Sequence, residues 1–280
     1  MKAIILNLSA WAILPFMDTI AKYLSAELSF FQITWARYFF TVFWTLPFMF
    51  IFFRKNLTWS ENPKLQILRG LTLFSANICF FYSISVISMA KALTLAFVAP
   101  LVTTALSPIL LGEKVGIKRW SAVIVGFIGS LIVIRPGFIE FNLATVAALG
   151  TGCLYGVYLI ITRKLHSTDN PLLTLLLTGI VGTTISTFLV PIVWVNPTTI
   201  QWIWLAIMGV FACLGHILLI YSLRYADASK LAPFGYFEII TNIILGYYIF
   251  KDFPDMWTFL GLFIIISSGI YIFRRELKNR

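Results

Sequence analysis

The stretch YSISVISMAKALTLAFVAPLVTTALSPILLGEK, Tyr82 to Lys114, is echoed by YSLRYADASKLAPFGYFEIITNIILGYYIFKDF, Tyr221 to Phe253. A constant offset of 139 residues aligns Tyr82 with Tyr221, Ser83 with Ser222 and Lys91 with Lys230. The same offset aligns Glu113 with Asp252 and Arg135 with Arg274 without a gap. Apolar matches carry little information here, so the polar ones carry the repeat. Within the second copy Glu238 sits near the middle of a long apolar run, followed four residues later by Asn242. A carboxylate in such a run is expensive, and its purpose bears on the whole chain.

Composition identifies the solvent. Of 280 residues, 60% are hydrophobic and 11% charged. A soluble domain of this length needs a more polar surface, so the chain reads as an integral membrane protein. The net charge of +10 does not point to nucleic acid, because most basic residues fall in short loops between apolar runs. Cys79, Cys153 and Cys213 are odd in number, lie in apolar segments and lack CxxC spacing, which suits packing. The first apolar segment carries Asp18 and Lys22 and reads as a retained helix.

Apolar runs of about twenty residues, enough to cross a bilayer as a helix, fall near 3–24, 30–53, 66–87, 91–111, 119–135, 142–162, 172–194, 201–222, 230–250 and 256–273. The fold expected is all-α and integral to the membrane, with ten transmembrane helices. With the N-terminus cytoplasmic, sixteen Lys and Arg, Arg69 among them, fall on the cytoplasmic side and four on the other. The positive-inside rule then places both termini in the cytoplasm. Five helices per half is an odd number, so the second half enters the membrane from the opposite side. The expected domains are two inverted five-helix repeats, residues 1–138 and 139–280. Inverted repeats are a recurring plan of secondary transporters, with substrate bound near the midplane between the halves.

Four segments carry a family resemblance. FVAPLVTTALSPILLGEKVGIKRWSAVIVGFIGSLIVIRPG (97–137) and LAPFGYFEIITNIILGYYIFKDFPDMWTFLGLFIIISSGIYIFRRE (231–276) resemble the repeat ends of the EamA-type drug/metabolite transporters. MDTIAKYLS (17–25) and FFQITWARYFF (30–40) resemble that family's first two helices. The pattern is similar to bacterial carriers for riboflavin and for S-adenosylmethionine, and it also occurs in exporters of amino acids and other metabolites. The resemblance implies ten helices, alternating access and a central cavity. Ile239 departs from the pattern, since many members have proline there, and less bending is expected at that point.

Ionisable side chains within spans usually face a cavity or pair with each other. Asp18 lies about 22 Å along the first helix and Arg37 about 10 Å down the second, which places them at similar depth. They are expected as a buried ion pair, or as a gate beside bound substrate. His216 suits a hydrogen-bonded packing residue or a proton relay, and Asn77 an interhelical or a substrate contact. Glu238, with Asn242 on the same face, is the leading candidate for substrate or proton handling; a protonated, structural Glu is the alternative. The family resemblance places Trp35, Tyr82, Phe97, Tyr155, Tyr158 and Tyr236 in spans around the cavity, where rings could stack on a planar or cationic solute.

No HExxH, GxSxG or P-loop motif is present, and neither catalytic residue, cofactor nor metal is expected. With no nucleotide-binding domain, transport draws on a gradient or on exchange. The expectation is a secondary active transporter for a small organic metabolite in a bacterial inner membrane. Its partners are that solute and the lipid bilayer, not nucleic acid, and it works as a monomer or homodimer. An intramembrane enzyme, a purely structural membrane protein and an exporter are the rival readings.

Overall fold

In the computed structural model every regular element among the described residues is a helix. Those residues are 2–53, 60–113, 115–134, 142–231, 234–235, 237–251 and 254–278. The α-helices are α1 Lys2–Leu24, α2 Phe30–Phe53, α3 Pro63–Val86, α4 Met89–Ala96, α5 Val98–Leu111 and α6 Ile117–Ile134. They continue as α7 Leu143–Lys164, α8 Pro171–Leu189, α9 Thr199–Tyr225, α10 Ala228–Leu231, α11 Phe237–Leu245 and α12 Met256–Lys278. Six helical segments are long and apolar enough to cross a membrane: α1, α3, Lys91–Leu111, α7 with its 3-10 extension, α8 with its own, and α9.

Loop chemistry starts the helices where the sequence punctuation suggests. Asn170 caps α8 by accepting the Leu172 N–H at 2.9 Å, with Pro171 in the first turn, where a missing N–H costs nothing. Thr198 and Gln201 form a reciprocal capping box at α9. Large apolar side chains face outward, including Phe48 and Ile51 on α2, Ile124 and Phe127 on α6, and Met256 and Phe263 on α12. Arg37, Arg69, His216 and Glu238 face inward. A lipid solvent accounts for both.

The repeat extends to packing. The 139-residue offset carries α1 onto α7, α2 onto α8, α3 onto α9, α4–α5 onto α10–α11 and α6 onto α12. Under that exchange, α1 against α9 corresponds to α3 against α7, and α2 against α9 to α3 against α8. The pairs α2–α8 and α6–α12 map onto themselves. Equivalent turns repeat too: Gly112, at φ 68°, and Lys251, at φ 58°, are offset partners in the left-handed region.

Two expected spans are not continuous helices. The fourth divides at Phe97, which ends α4 and caps α5. Pro100 supplies the cause, because its ring clashes with the carbonyl four residues back, at Ala96. Gly152 of α7 packs against that carbonyl: a Cβ there would lie 2.5 Å from the Ala96 oxygen. In the ninth span α10 closes at Leu231 and α11 opens at Phe237, so the segment divides ahead of Ile239 despite the missing proline. It ends in a π-helical turn, Gly246–Phe250.

Arg69 departs from the expectation more sharply. The sequence places it with the loop basics, whereas it lies on α3 and is wholly buried. Its guanidinium donates to Thr162 Oγ1 at 2.7 Å, to the Thr174 carbonyl at 3.1 Å, to Thr178 Oγ1 and to the Tyr158 hydroxyl at 2.7 Å. Five donors in a rigid fork let neutral oxygens satisfy it.

Candidate functional site

Helix periodicity and the two breaks assemble a central cavity. Its α1 wall is Asn7, Trp11, Leu14 and Asp18, a stripe at spacings of four, three and four residues that falls on one helix face. Opposite stand His216, Leu219 and Leu223 of α9, and Gly215 lets the helices approach: a Cβ there would lie 2.5 Å from Leu14 Cδ2. Asn77 and Phe80 of α3 and Thr151, Tyr155 and Leu159 of α7 supply further walls. The broken segments complete it, with Ala96, Phe97 and Pro100 from one and Gly235 and Glu238 from the other. About 90 Å³ is open to the centre of a water molecule.

Local structure explains the placement of the two acids. The break before α11 puts Glu238 in that helix's first turn, where unpaired N–H groups and the helix dipole favour a negative charge. Its offset partner in the first half is Ala99, so only the second half carries an acid there. Asp18 follows Pro15, which lacks the N–H that would bond the Trp11 carbonyl. Both acids are buried, at 3% exposure for Asp18 and 8% for Glu238. Among the described residues neither carboxyl group makes a hydrogen bond or an ion pair, although the two interact electrostatically. Asn242, one turn beyond Glu238, donates to its backbone carbonyl at 3.2 Å, and its own buried Oδ1 has no partner among the described residues.

The aromatic wall is equally specific. Trp11 Nε1 donates to Asn7 Oδ1 at 2.9 Å, and Asn7 Nδ2 donates to Ser222 Oγ at 3.0 Å, which fixes the indole. Its ring lies 6.0 Å from that of Tyr155, centroid to centroid. Among the described residues the Tyr155 hydroxyl, which is buried, has no hydrogen-bond partner. Such a surface can receive a planar group on its rings and a cation at its acids.

Of the residues singled out from sequence, Asp18, Asn77, Phe97, Tyr155, His216 and Glu238 line this cavity. Three rings lie away from it. Trp35 joins Trp194 and Trp202 in an aromatic cluster and donates to Thr187 Oγ1 at 3.1 Å. Tyr82 packs on Phe30, and Tyr158, wholly buried, holds Arg69. Tyr236 falls outside the described residues. The expected Asp18–Arg37 ion pair is not formed: Arg37 Nη2 meets His216 Nε2 at 3.0 Å, and its Nε donates to Met17 Sδ at 3.2 Å. Asn77 Nδ2 donates to the Tyr38 hydroxyl at 2.8 Å. Sequence reasoning missed Asn7 and Trp11, although their spacing to Asp18 was the signal.

A polytopic helical membrane protein whose halves enclose a cavity with inward-facing acids has the build of a solute carrier. The sequence matches the EamA-like transporter family over residues 1–135 and 142–274, and the chain belongs to that family. It is a multi-pass membrane transporter and not an enzyme. Similar proteins include the S-adenosylmethionine uptake transporter of Rickettsia bellii, 31% identical over 93% of this chain and 89% of that one. The S-adenosylmethionine uptake transporter of Rickettsia prowazekii is 29% identical over 94% and 89%. A riboflavin transporter of Vibrio cholerae is 30% identical over 68% of this chain and 64% of that one. A solved crystal structure shares the fold, with TM-score 0.73, 15% identity and 98% of both chains covered.

Proposed function

We propose that this chain is a secondary active carrier that takes up a small cationic metabolite, with S-adenosylmethionine the leading candidate, by alternating access across a bacterial inner membrane. Its repeats, 1–138 and 139–280, each supply five of ten spanning helices in opposite orientations, and both termini lie in the cytoplasm. The observation that carries the reading is the pair of buried acids, Asp18 and Glu238, turned to one cavity with no cation bound to either among the described residues. A sulfonium and an ammonium suit those acids, and an adenine suits the Trp11 and Tyr155 rings. Riboflavin, a neutral solute, would leave both acids without a counter-charge. The relatives named for S-adenosylmethionine also cover more of the chain, 93% and 94%, than the two named for riboflavin, 68% and 85%.

Labelled S-adenosylmethionine and proteoliposomes test this. Wild-type vesicles are expected to exchange internal for external label, and Glu238→Gln vesicles to lose that exchange. Exchange no faster than in protein-free vesicles would refute the substrate. In a background without native cysteines, a thiol reagent should reach a cysteine at Ser167 from the cytoplasm and one at Thr198 from the opposite side. The reverse pattern would overturn the orientation.

A further inference from the structure

Arg37 is 2% exposed, and its guanidinium is held by neutral acceptors on two helices: Met17 Sδ on α1 and His216 Nε2 on α9. A guanidinium only donates, so His216 accepts through Nε2 and its ring proton sits on Nδ1. Among the described residues that Nδ1 is buried without a hydrogen-bond partner. Met17 directly precedes Asp18, so Arg37 is anchored next to an acid with which it forms no ion pair within 4.0 Å.

Buried opposite charges gain by pairing where they can meet, since breaking such a pair leaves each charge buried alone. Something holds them apart. A thioether is a weak acceptor and a poor anchor for a charged donor. The imidazole is the stronger of the two, and it reaches Arg37 from across the molecule. His216 and Asn77 are offset partners, and each grips one of two adjacent α2 residues, Arg37 and Tyr38.

We infer that His216 is a positioning residue that holds Arg37 away from Asp18 and so keeps the Asp18 carboxylate open to the sulfonium of the substrate, the ammonium falling to Glu238. Without the imidazole, the guanidinium turns to Asp18 and neutralises it. This rests on the reading of Asp18 and Glu238 as the cation site, and it adds the device that keeps one of those acids available. His216 acts through Arg37, and no proton passes through it.

Two readouts on the purified full-length protein separate the claims. In the first, His216→Ala is expected to weaken S-adenosylmethionine binding roughly tenfold or more. Its effect on S-adenosylhomocysteine, which lacks the sulfonium charge, should stay within about twofold. His216→Gln, whose side-chain carbonyl can accept from Nη2, should restore most of the affinity, as should Arg37→Gln in the His216→Ala background. Equal losses for both ligands, or no recovery with Arg37→Gln, would overturn the proposal.

The second readout needs no ligand. Melting shifts for Asp18→Asn and Arg37→Gln should depart from additivity more in the His216→Ala background than in wild type, by roughly 2 °C or more. Equal departures in both backgrounds would also overturn the proposal. If wild type binds neither ligand, the substrate reading falls, and the melting cycle alone decides whether His216 separates the charges.

Discussion

Gly152→Ala puts a methyl group where α7 meets the Ala96 carbonyl at the break between α4 and α5. The added Cβ would lie 2.5 Å from that oxygen, 3.1 Å from its carbon and 3.2 Å from the Ala99 nitrogen. All three are backbone atoms, so no rotamer change can make room. In a helix interior the substitution by itself would gain roughly 0.8–1.0 kcal/mol. Overpacking of this kind costs typically about 1–3 kcal/mol, and a clash with backbone belongs at the upper end. The net expectation is a loss of roughly 1–2 kcal/mol. For a chain of this size that lowers the melting midpoint by several degrees. Gly150, two residues away on the same helix, is the internal control. A Cβ there meets only Cys79 Sγ, at 3.9 Å, which is ordinary contact. Gly150→Ala should therefore hold or raise the midpoint. Thermal unfolding of both variants in one detergent decides the matter, with S-adenosylmethionine exchange as a second readout, because the clash moves the segment that carries Phe97 and Pro100. Equal midpoints for the two variants would refute the close packing at the break.

Lys251→Gly should raise stability by about 1 kcal/mol, because a non-glycine residue in the left-handed region costs roughly 1–2 kcal/mol; no change in the melting midpoint would mean that the turn relaxes. Tyr158→Phe removes the hydroxyl that accepts from Arg69 Nη2 but keeps the ring 4.5 Å from the guanidinium. It should cost about 1.5–3 kcal/mol, the usual value for a hydrogen bond to a charged group, measured by the same melts. Partial burial pushes the Asp227 carboxyl up, but Lys230 and the Arg163 guanidinium, 2.8 Å away, outweigh it and hold the group below its ordinary 3.8. A depressed pKa gives stability that is present above the unfolded value and lost as the pH falls through the folded one. Asp227→Asn should therefore flatten the acid side of the stability profile below pH 3.8 and lower stability at pH 7; an unchanged acid slope would count against the pairing.

The helical, membrane-embedded plan was legible in the sequence because the apolar runs are long and their breaks carry cap residues such as Asn170 and Thr198. The repeat was legible from a few polar matches, and the structure extends it to the offset pairs Asn77 with His216 and Gly112 with Lys251. Placing Glu238, Asp18 and His216 in a cavity follows from the cost of burying such groups. Their partners did not follow. Depth alone suggested pairing Asp18 with Arg37, but depth says nothing of rotation about the helix axis or of a third group on α9 that takes the guanidinium first. Arg69 was misread because residues near a helix end count as loop in a charge census, whereas the oxygens that hold it come from α7 and α8. The Asn7, Trp11 and Asp18 stripe was visible, but in so apolar a helix periodicity alone does not pick out the face that meets the cavity.

The central claim is that Asp18 and Glu238 together form a cation site. The most direct test is the equilibrium affinity of the purified transporter for S-adenosylmethionine relative to S-adenosylhomocysteine, in wild type and in Asp18→Asn/Glu238→Gln. The account predicts a preference for the sulfonium of about tenfold or more in wild type, equivalent to about 1.4 kcal/mol, and none in the double variant. Equal affinities in wild type, or a preference that survives removal of both carboxylates, would contradict it.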